Sequence, residues 1–490
     1  MSHDVVIVGS GAGGSAAVYQ LVRSGMKVLL LEQGQVLPKD GSTLDVEKVV
    51  KQHLFVDDEP WIDLNGNTIV PQERSNLGGK TKWYGAALLR FSPDEFGEDS
   101  AHQCLPWPIG YHDLEPFYAE AEQLLGVRTF PIEPDFQRIV AGLRRRDPQW
   151  RKQALPVGLA PDIMNYPNEA KHFDAFASPR GLKSDGENCF VNPVKNMPNL
   201  QIITGKKVAS LLQSHSDSTV VRGVVCDDGS EYEANHVVLA AGALHSPRIL
   251  QRYMESTGLA TTLPSFKNIG RNYKYHLLTA MLMLTWRTQR DVLRKSTVLL
   301  HESLPHSSVQ PLGWIDGELL APELPSIVPR WLANFIGRRV YGFFLLTEDG
   351  SHPDNRVSAT SPSGLPRLDY DPSRIPAAYE EHKRFVRLLK RQLLRIGYIG
   401  LTKTIPIAGT AHACGTLVAG HDPAISVVDG VGKVHGMENL YVVDGSVLPR
   451  SSKVNPALTI YAWGLRVASL LANRRSIDEN QATRSNPIRA

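Results

Sequence analysis

Apolar runs suited to the interior of a parallel sheet punctuate this chain. Val5 to Val8 is β-branched and continuous, "KVLLLE" (27–32) follows some twenty residues later, and "VVLAAGA" (237–243) and "LYVVDGS" (440–446) each end in small or turn-forming residues. "IITGKKVASLL" (202–212) alternates as a half-buried strand does. Two further runs, "LLTAMLMLTW" (277–286) and "RRVYGFFLLTE" (338–348), read as strands of a separate antiparallel sheet and are too short to cross a bilayer. "AAYEEHKRFVRLLKRQLLRIG" (377–397) has a helical period whose exposed basic face reads as solvated surface. Ser246-Pro247 predicts a helix start with Pro at its first position, and Asn455-Pro456 predicts another with Asn as the cap. The polar stretch after Leu471 is expected to lack structure.

The first run leads into "GSGAGG", which places Gly9, Gly11 and Gly14 as GxGxxG at a strand-to-helix turn. In such a turn Gly9 permits the tight bend, Gly11 lets backbone approach a pyrophosphate, and Gly14 lets the helix lie close on the strand. The helix predicted from about Ser15 to Ser24 aims its amides at the phosphates. Glu32 ends the second strand where an acid receives a ribose diol, which favours FAD or NAD over NADP. A glycine-rich turn in some other α/β protein is the plain alternative, but strand, glycines, helix, strand and acid occur in order. After Gly34 the chain abandons strand–helix alternation for a long irregular region, which points to a flavoprotein rather than a simple NAD dehydrogenase.

Length and composition narrow the partners. At 490 residues the chain has room for two or more domains, and a net charge of +3 is too small for a nucleic-acid surface. Four cysteines, Cys104, Cys189, Cys226 and Cys414, lack CxxC spacing; together with an amino terminus that shows no export signal they suggest a cytoplasmic protein without membrane partners. No metal site is expected, since His412 and Cys414 lack nearby companions, and the absence of GxSxG argues against a serine hydrolase.

Read together, "SNLGGKTKWYGAALLRF" (75–91), "PWPIGYHDLEPFYAEAEQLLGV" (106–127), "VVLAAGALHSPRIL" (237–250), "IGRNYKYH" (269–276), "HACGT" (412–416), "VVDGVGKVHGMENLYVVDGSVLP" (427–449) and "NPALTIYA" (455–462) resemble the glucose-methanol-choline (GMC) oxidoreductases. That resemblance implies an α/β protein, α+β overall. Its Rossmann-like FAD-binding domain (1–130, 195–290 and 405–475) would carry a doubly wound sheet, its antiparallel-sheet substrate domain would take 131–194 and 291–404, and 476–490 would be a flexible tail. It implies FAD-dependent oxidation of a primary or secondary alcohol, with oxygen or another acceptor taking the electrons. His412 then stands where the family keeps its base, and Asn455, 43 residues on, where it keeps the partner that binds the same hydroxyl. Near neutral pH an imidazole suits removal of a hydroxyl proton. A loop histidine and a helix-capping asparagine are the plain alternatives.

The same resemblance assigns the cofactor to Gly9, Gly11, Gly14, Glu32, Gly78, Gly79, Val208 (beside the adenine), Ala241, Asp444 and Pro456. Gly78 and Gly79 would let backbone lie against the ring or its phosphates, and Asp444 would bond a ribityl or phosphate group. Where some relatives carry a flavin-linking His after the double glycine, this chain reads "GGKTKWYG", so noncovalent FAD is expected. The aromatic-rich segments lean toward the bacterial sugar dehydrogenase and pyranose oxidase branch, with Trp83 and Tyr84 available to stack on a sugar. A cyanohydrin lyase of the same family, an NAD-dependent dehydrogenase and a non-catalytic flavin-binding protein are the rivals.

Overall fold

A computed structural model describes residues 3–321, 329–409 and 412–484. Its organising element is a parallel sheet in the strand order 200–204, 28–32, 3–8, 231–239, 440–442. Val5, Val6, Ile7 and Leu29 to Leu31 are 0–1% exposed, so both faces of the sheet are covered and the continuous apolar runs are explained. The long strand Glu231–Leu239 also turns back as an antiparallel ribbon with Val221–Cys226 and Val208–Gln213. The first helix, Ala12–Arg23, begins three residues earlier than the pattern suggests, because the glycines themselves form its first turn. It packs against the carboxy-terminal helix, where a Cβ on Gly464 would stand 2.6 Å from the Gly13 carbonyl.

That last helix runs Ala457–Arg484, through residues 472–484 that were expected to be unstructured; 485–490 lie outside the described residues. From Leu465 to Arg484 the chain holds neither Gly nor Pro, so nothing stops propagation once the apolar first turns are packed.

A second sheet of six strands is antiparallel throughout, in the order 399–404, 277–284, 340–347, 304–311, 297–301, 150–154. Helices Pro134–Arg146 and Pro376–Arg395 cover one face of it through Phe136, Ile139, Leu143, Phe385, Leu389 and Leu393, all buried with Met281, Met283, Tyr341 and Phe343. Strand Leu277–Leu284 belongs here, so the chain crosses from the first unit to the second ahead of residue 290. Gln310 lies in this sheet and sends its side chain to Asn455 of the first unit. A small four-stranded sheet (356–358, 367–369, 61–63, 68–69) completes the fold. Among the described residues no helix is long and apolar enough to cross a membrane, and all four cysteines are free.

Candidate active site

The glycine turn has the shape its spacing demands. Gly9 sits at φ +99°, and a Cβ there would meet the Ala240 carbonyl at 2.5 Å; one on Gly14 would meet the Gly9 carbonyl at 2.0 Å. Gly11 differs, since a Cβ there would meet no atom within 4 Å, which leaves a gap beside the backbone. Gly13, which the pattern passed over, is the tightest position: a Cβ would fall 1.7 Å from the Val443 carbonyl. Ala241 lies against Gly9, and Gly79, itself left-handed, lies against the Gly11 backbone, its would-be Cβ 3.1 Å from the Gly11 Cα. Gly78 and Gly79, from a distant part of the chain, therefore share the mouth of this turn.

Glu32 is buried and accepts from the Ser10 amide (3.0 Å), the Ser10 hydroxyl (2.6 Å) and the Gly34 amide (3.0 Å). Burial raises its pKa against those hydrogen bonds. The Lys206 amide donates to the Glu32 carbonyl at 3.0 Å, which brings Val208, at the start of its strand, to the same end of the sheet.

Asp444 departs from expectation. One of its oxygens accepts from the Gly242 amide (2.8 Å) and the Ser246 hydroxyl (2.5 Å), the other from the amide (2.9 Å) and hydroxyl (2.5 Å) of Ser446. Four protein donors occupy a carboxylate with about four acceptor positions, so its observed work is to cap the helix Gly242–Ser256 from outside. This cap also explains why that helix starts five residues before Pro247 rather than at it.

His412 is brought into place by pairing between two loops. Lys274 and Cys414 exchange backbone hydrogen bonds (3.1 and 2.9 Å), and this antiparallel register sets His276, two residues on, opposite His412, two residues back. Their Nδ1 atoms are 2.8 Å apart, and His276 Nε2 donates to the Ser452 carbonyl at 2.8 Å. His412 is left-handed (φ +63°). Gly415 is also left-handed (φ +86°), and a Cβ there would strike Lys274 Nζ and the Asn272 carbonyl, so the turn after the histidine needs glycine.

Asn455 comes from the other side. Its Nδ2 lies 3.3 Å from His412 Nε2, and its Oδ1 accepts from Gln310 Nε2 at 2.6 Å. The helix that follows takes its first backbone bond at the Pro456 carbonyl, from the Ile460 amide at 3.0 Å. Asn455 therefore lies one residue ahead of the cap position expected for it, and its amide is used by His412 and Gln310. Burial, then the neighbouring His276, Lys295 and Lys80, hold the His412 pKa well below the usual histidine value, which keeps the ring neutral.

The aromatic pair after the double glycine is not a platform in this structure. Trp83 is 6% exposed, donates to Asn76 Oδ1 at 2.8 Å and packs with Phe55, Val46 and Phe176. Tyr84 donates to the Ser184 carbonyl at 2.8 Å. Lys82 bonds Asp185 (3.1 Å) and Glu187 (2.5 Å). Apart from this site, His306 bridges Glu348 (3.0 Å) and Asp99 (3.2 Å) and stacks on His102 at 3.7 Å. His102 and His306 form one close group of ligand-type atoms with Glu381, and Cys104, His306 and Glu348 form another. Glu381 accepts from the His306 amide and the Ser307 hydroxyl, and Cys104 Sγ donates to the His102 carbonyl.

His276, Gln310, Gly13 and Thr416 carry site geometry that no single run of sequence assigns. His276 ends the "IGRNYKYH" run and Thr416 ends "HACGT", so both were visible as residues but not as contacts.

Comparison with known proteins agrees with this architecture. Residues 3–278 match the amino-terminal and 351–464 the carboxy-terminal model of the GMC oxidoreductases. The chain is 28% identical to a 6'''-hydroxyparomomycin C oxidase from Streptomyces lividus, over 97% of this chain and 92% of the relative. It is 27% identical to a paromamine 6'-oxidase from Streptomyces fradiae, over 96% and 91%. A formate oxidase structure from Aspergillus oryzae, a study of that enzyme's FAD modification, superposes with a TM-score of 0.69 at 15% identity, over 97% of this chain and 99% of that one. With matches spanning both units, this chain belongs to the GMC oxidoreductase family, whose members act on CH–OH groups.

Proposed function

We propose that this protein oxidises a primary or secondary hydroxyl of a sugar or glycoside, using noncovalently bound FAD. The observation that carries the reading is the convergence of His412 and Asn455, brought from opposite sides to 3.3 Å, in a chain whose amino-terminal glycine turn keeps a gap at Gly11. The gap at Gly11, the two left-handed glycines and the acid ending the second strand suit a dinucleotide, with Glu32 and the Val208 segment on its adenosine side. Asp444 would support that cradle by fixing the helix at Gly242, and Ala241 and Pro456 would border it. No histidine follows the double glycine, and Lys82 is engaged by Asp185 and Glu187, which supports noncovalent binding.

When bound, FAD supplies the ring that accepts a hydride from the carbinol carbon. The chain's own contribution is to the proton and the pose. His412, whose surroundings hold its pKa well below the usual histidine value, takes the hydroxyl proton as a neutral ring. Asn455, held by Gln310, orients the hydroxyl against the imidazole. The paromamine and paromomycin oxidases act on aminoglycosides by name, which puts a glycoside hydroxyl first among substrate classes.

Anaerobic mixing of the yellow holoenzyme with sugars, aminoglycosides and simple alcohols, followed by admission of air, tests this reading. Flavin bleaching with a glycoside is expected, and His412→Ala should slow it by about 10²- to 10⁴-fold. Cyanohydrin cleavage without bleaching by any alcohol would favour the lyase reading instead.

A further inference from the structure

We infer that His276 is the positioning residue that decides which nitrogen of His412 carries a proton, leaving Nε2 of His412 as the lone-pair nitrogen that faces Asn455. The inference rests on the reading of His412 as the proton acceptor and names what prepares it for that role.

The direction of each bond follows from what its partners can do. A carbonyl only accepts, so the contact to Ser452 requires His276 Nε2 to bear hydrogen. That carbonyl is itself anchored. Ser452 is left-handed (φ +69°), its amide donates to Glu348 Oε1 at 3.1 Å, and its hydroxyl donates to Glu95 Oε1 at 2.5 Å. Glu348 in turn is clamped by Arg450 through two bonds of 2.9 and 2.7 Å.

His276 is fully buried, and burial, working against the Ser452 hydrogen bond and the Glu348 charge, pushes its pKa down to about 4. A neutral ring with hydrogen on Nε2 has a bare Nδ1. Since that Nδ1 lies 2.8 Å from Nδ1 of His412, the His412 nitrogen must be the donor; the opposite tautomer would set two lone pairs against each other. The remaining lone pair of His412 then sits on Nε2. The other side is consistent with this: Gln310 Nε2 donates to Asn455 Oδ1, which leaves the Asn455 NH₂ group toward His412 Nε2. One chain of hydrogen bonds runs out from His412 Nδ1 through His276 to the Ser452 carbonyl, the other runs in from Gln310 through Asn455 to His412 Nε2, and both leave the lone pair on that nitrogen. A catalytic base needs that arrangement, because the alternative tautomer turns N–H toward the substrate.

The test is a long-range ¹H–¹⁵N spectrum of holoenzyme labelled at histidine, with His412 assigned by its loss in His412→Gln. The expected result is a proton on His412 Nδ1 and a lone-pair nitrogen at Nε2. A proton on Nε2 would overturn the inference even if no His276 variant folded. In His276→Leu the two tautomers should mix, and the limiting rate of flavin reduction should fall by about 10- to 10²-fold with KM changed less than about twofold. His276→Gln can accept from His412 and donate to Ser452, so it should restore both tautomer and rate. An unchanged His412 spectrum in His276→Leu would refute the assignment. Because the spectrum is taken without substrate, it stays informative if His412→Ala proves to bleach normally and the proposed reaction fails.

Discussion

Thr416 closes a gap that Pro247 opens. Proline has no amide hydrogen, so the Ala243 carbonyl four residues earlier gets no partner within its helix, and the buried Thr416 hydroxyl donates to it at 2.7 Å. The same strand-end region binds the loop a second time, through the Leu417 amide to the Ser446 carbonyl at 2.8 Å. The Gly-Thr pair after His412 is thereby explained: glycine makes the turn and threonine fastens it to the sheet's helix.

Thr416→Val keeps the shape and removes the donor. It should destabilise the fold by about 1–3 kcal/mol, the cost of leaving a buried carbonyl unsatisfied, while Thr416→Ser keeps most of the stability. Urea unfolding of the two variants beside the wild type measures the difference. Equal midpoints for all three would show that water replaces the hydroxyl.

Two neighbouring glycines should fail in different ways. Gly13→Ala drives a methyl into the Val443 carbonyl, backbone against backbone, and should prevent folding; soluble protein with a wild-type circular dichroism spectrum would contradict the packing described. Gly11→Ala meets no protein atom and has an extended backbone (φ −62°, ψ −165°), so the apoprotein should keep its melting temperature. What it should lose is FAD, seen as colourless protein after gel filtration. Full flavin retention by Gly11→Ala would mean that the cofactor does not approach that turn.

The amino-terminal fingerprint was legible because its physics is local: the bend at Gly9, the gap at Gly11 and the strand that ends in Glu32 lie within about thirty residues. His412 and Asn455 could be picked out only through the family resemblance, and their contact depends on strands far apart in the chain. What escaped was pairing across units. Nothing near His276 announces that the Lys274–Cys414 register places it against His412, and nothing near Gln310 points to Asn455. Asp444 was seen as a polar residue at a strand end, but two of its four donors come from the distant Gly242–Ser246 turn, so a ligand seemed the natural partner of its charge. Trp83 shows the converse error, an aromatic beside a site that turns inward because Asn76 satisfies its N–H.

His382 gives a pH prediction with a definite sign. It is buried between the Thr279 and Thr347 hydroxyls (2.8 and 2.9 Å), and burial lowers its pKa to about 4. The folded state therefore keeps it neutral, whereas the unfolded chain takes up a proton below its ordinary value near 6.5. Its contribution to stability is present above about pH 6.5 and is lost as the pH falls toward 4, by about 1.4 kcal/mol per unit. Relative to wild type, His382→Gln should flatten the dependence of unfolding free energy on pH across that window. Parallel curves for the two proteins would show that the ring is protonated when folded.

The last prediction concerns Lys82, which lies 6% exposed between Asp185 and Glu187, themselves 2% and 6% exposed. Burial raises the Asp185 pKa, the Lys82 charge and hydrogen bonds from Asn188 lower it, and Glu187 adds a repulsion. Removing the cation leaves two buried carboxylates without their counter-ion, so Lys82→Met should cost about 3–5 kcal/mol at neutral pH. The loss has a pH signature that an ordinary packing defect lacks. With the ammonium gone, burial leaves Asp185 binding its proton more tightly folded than unfolded, so acidification should return stability to Lys82→Met while leaving a neutral cavity variant unaffected. Adding Asp185→Asn should recover part of the loss at pH 7 by deleting one of the charges. Thermal melts of the single and double variants at pH 5 and pH 7 make the comparison; a Lys82→Met deficit of the same size at both pH values would mean that the pair is hydrated and its charges already screened.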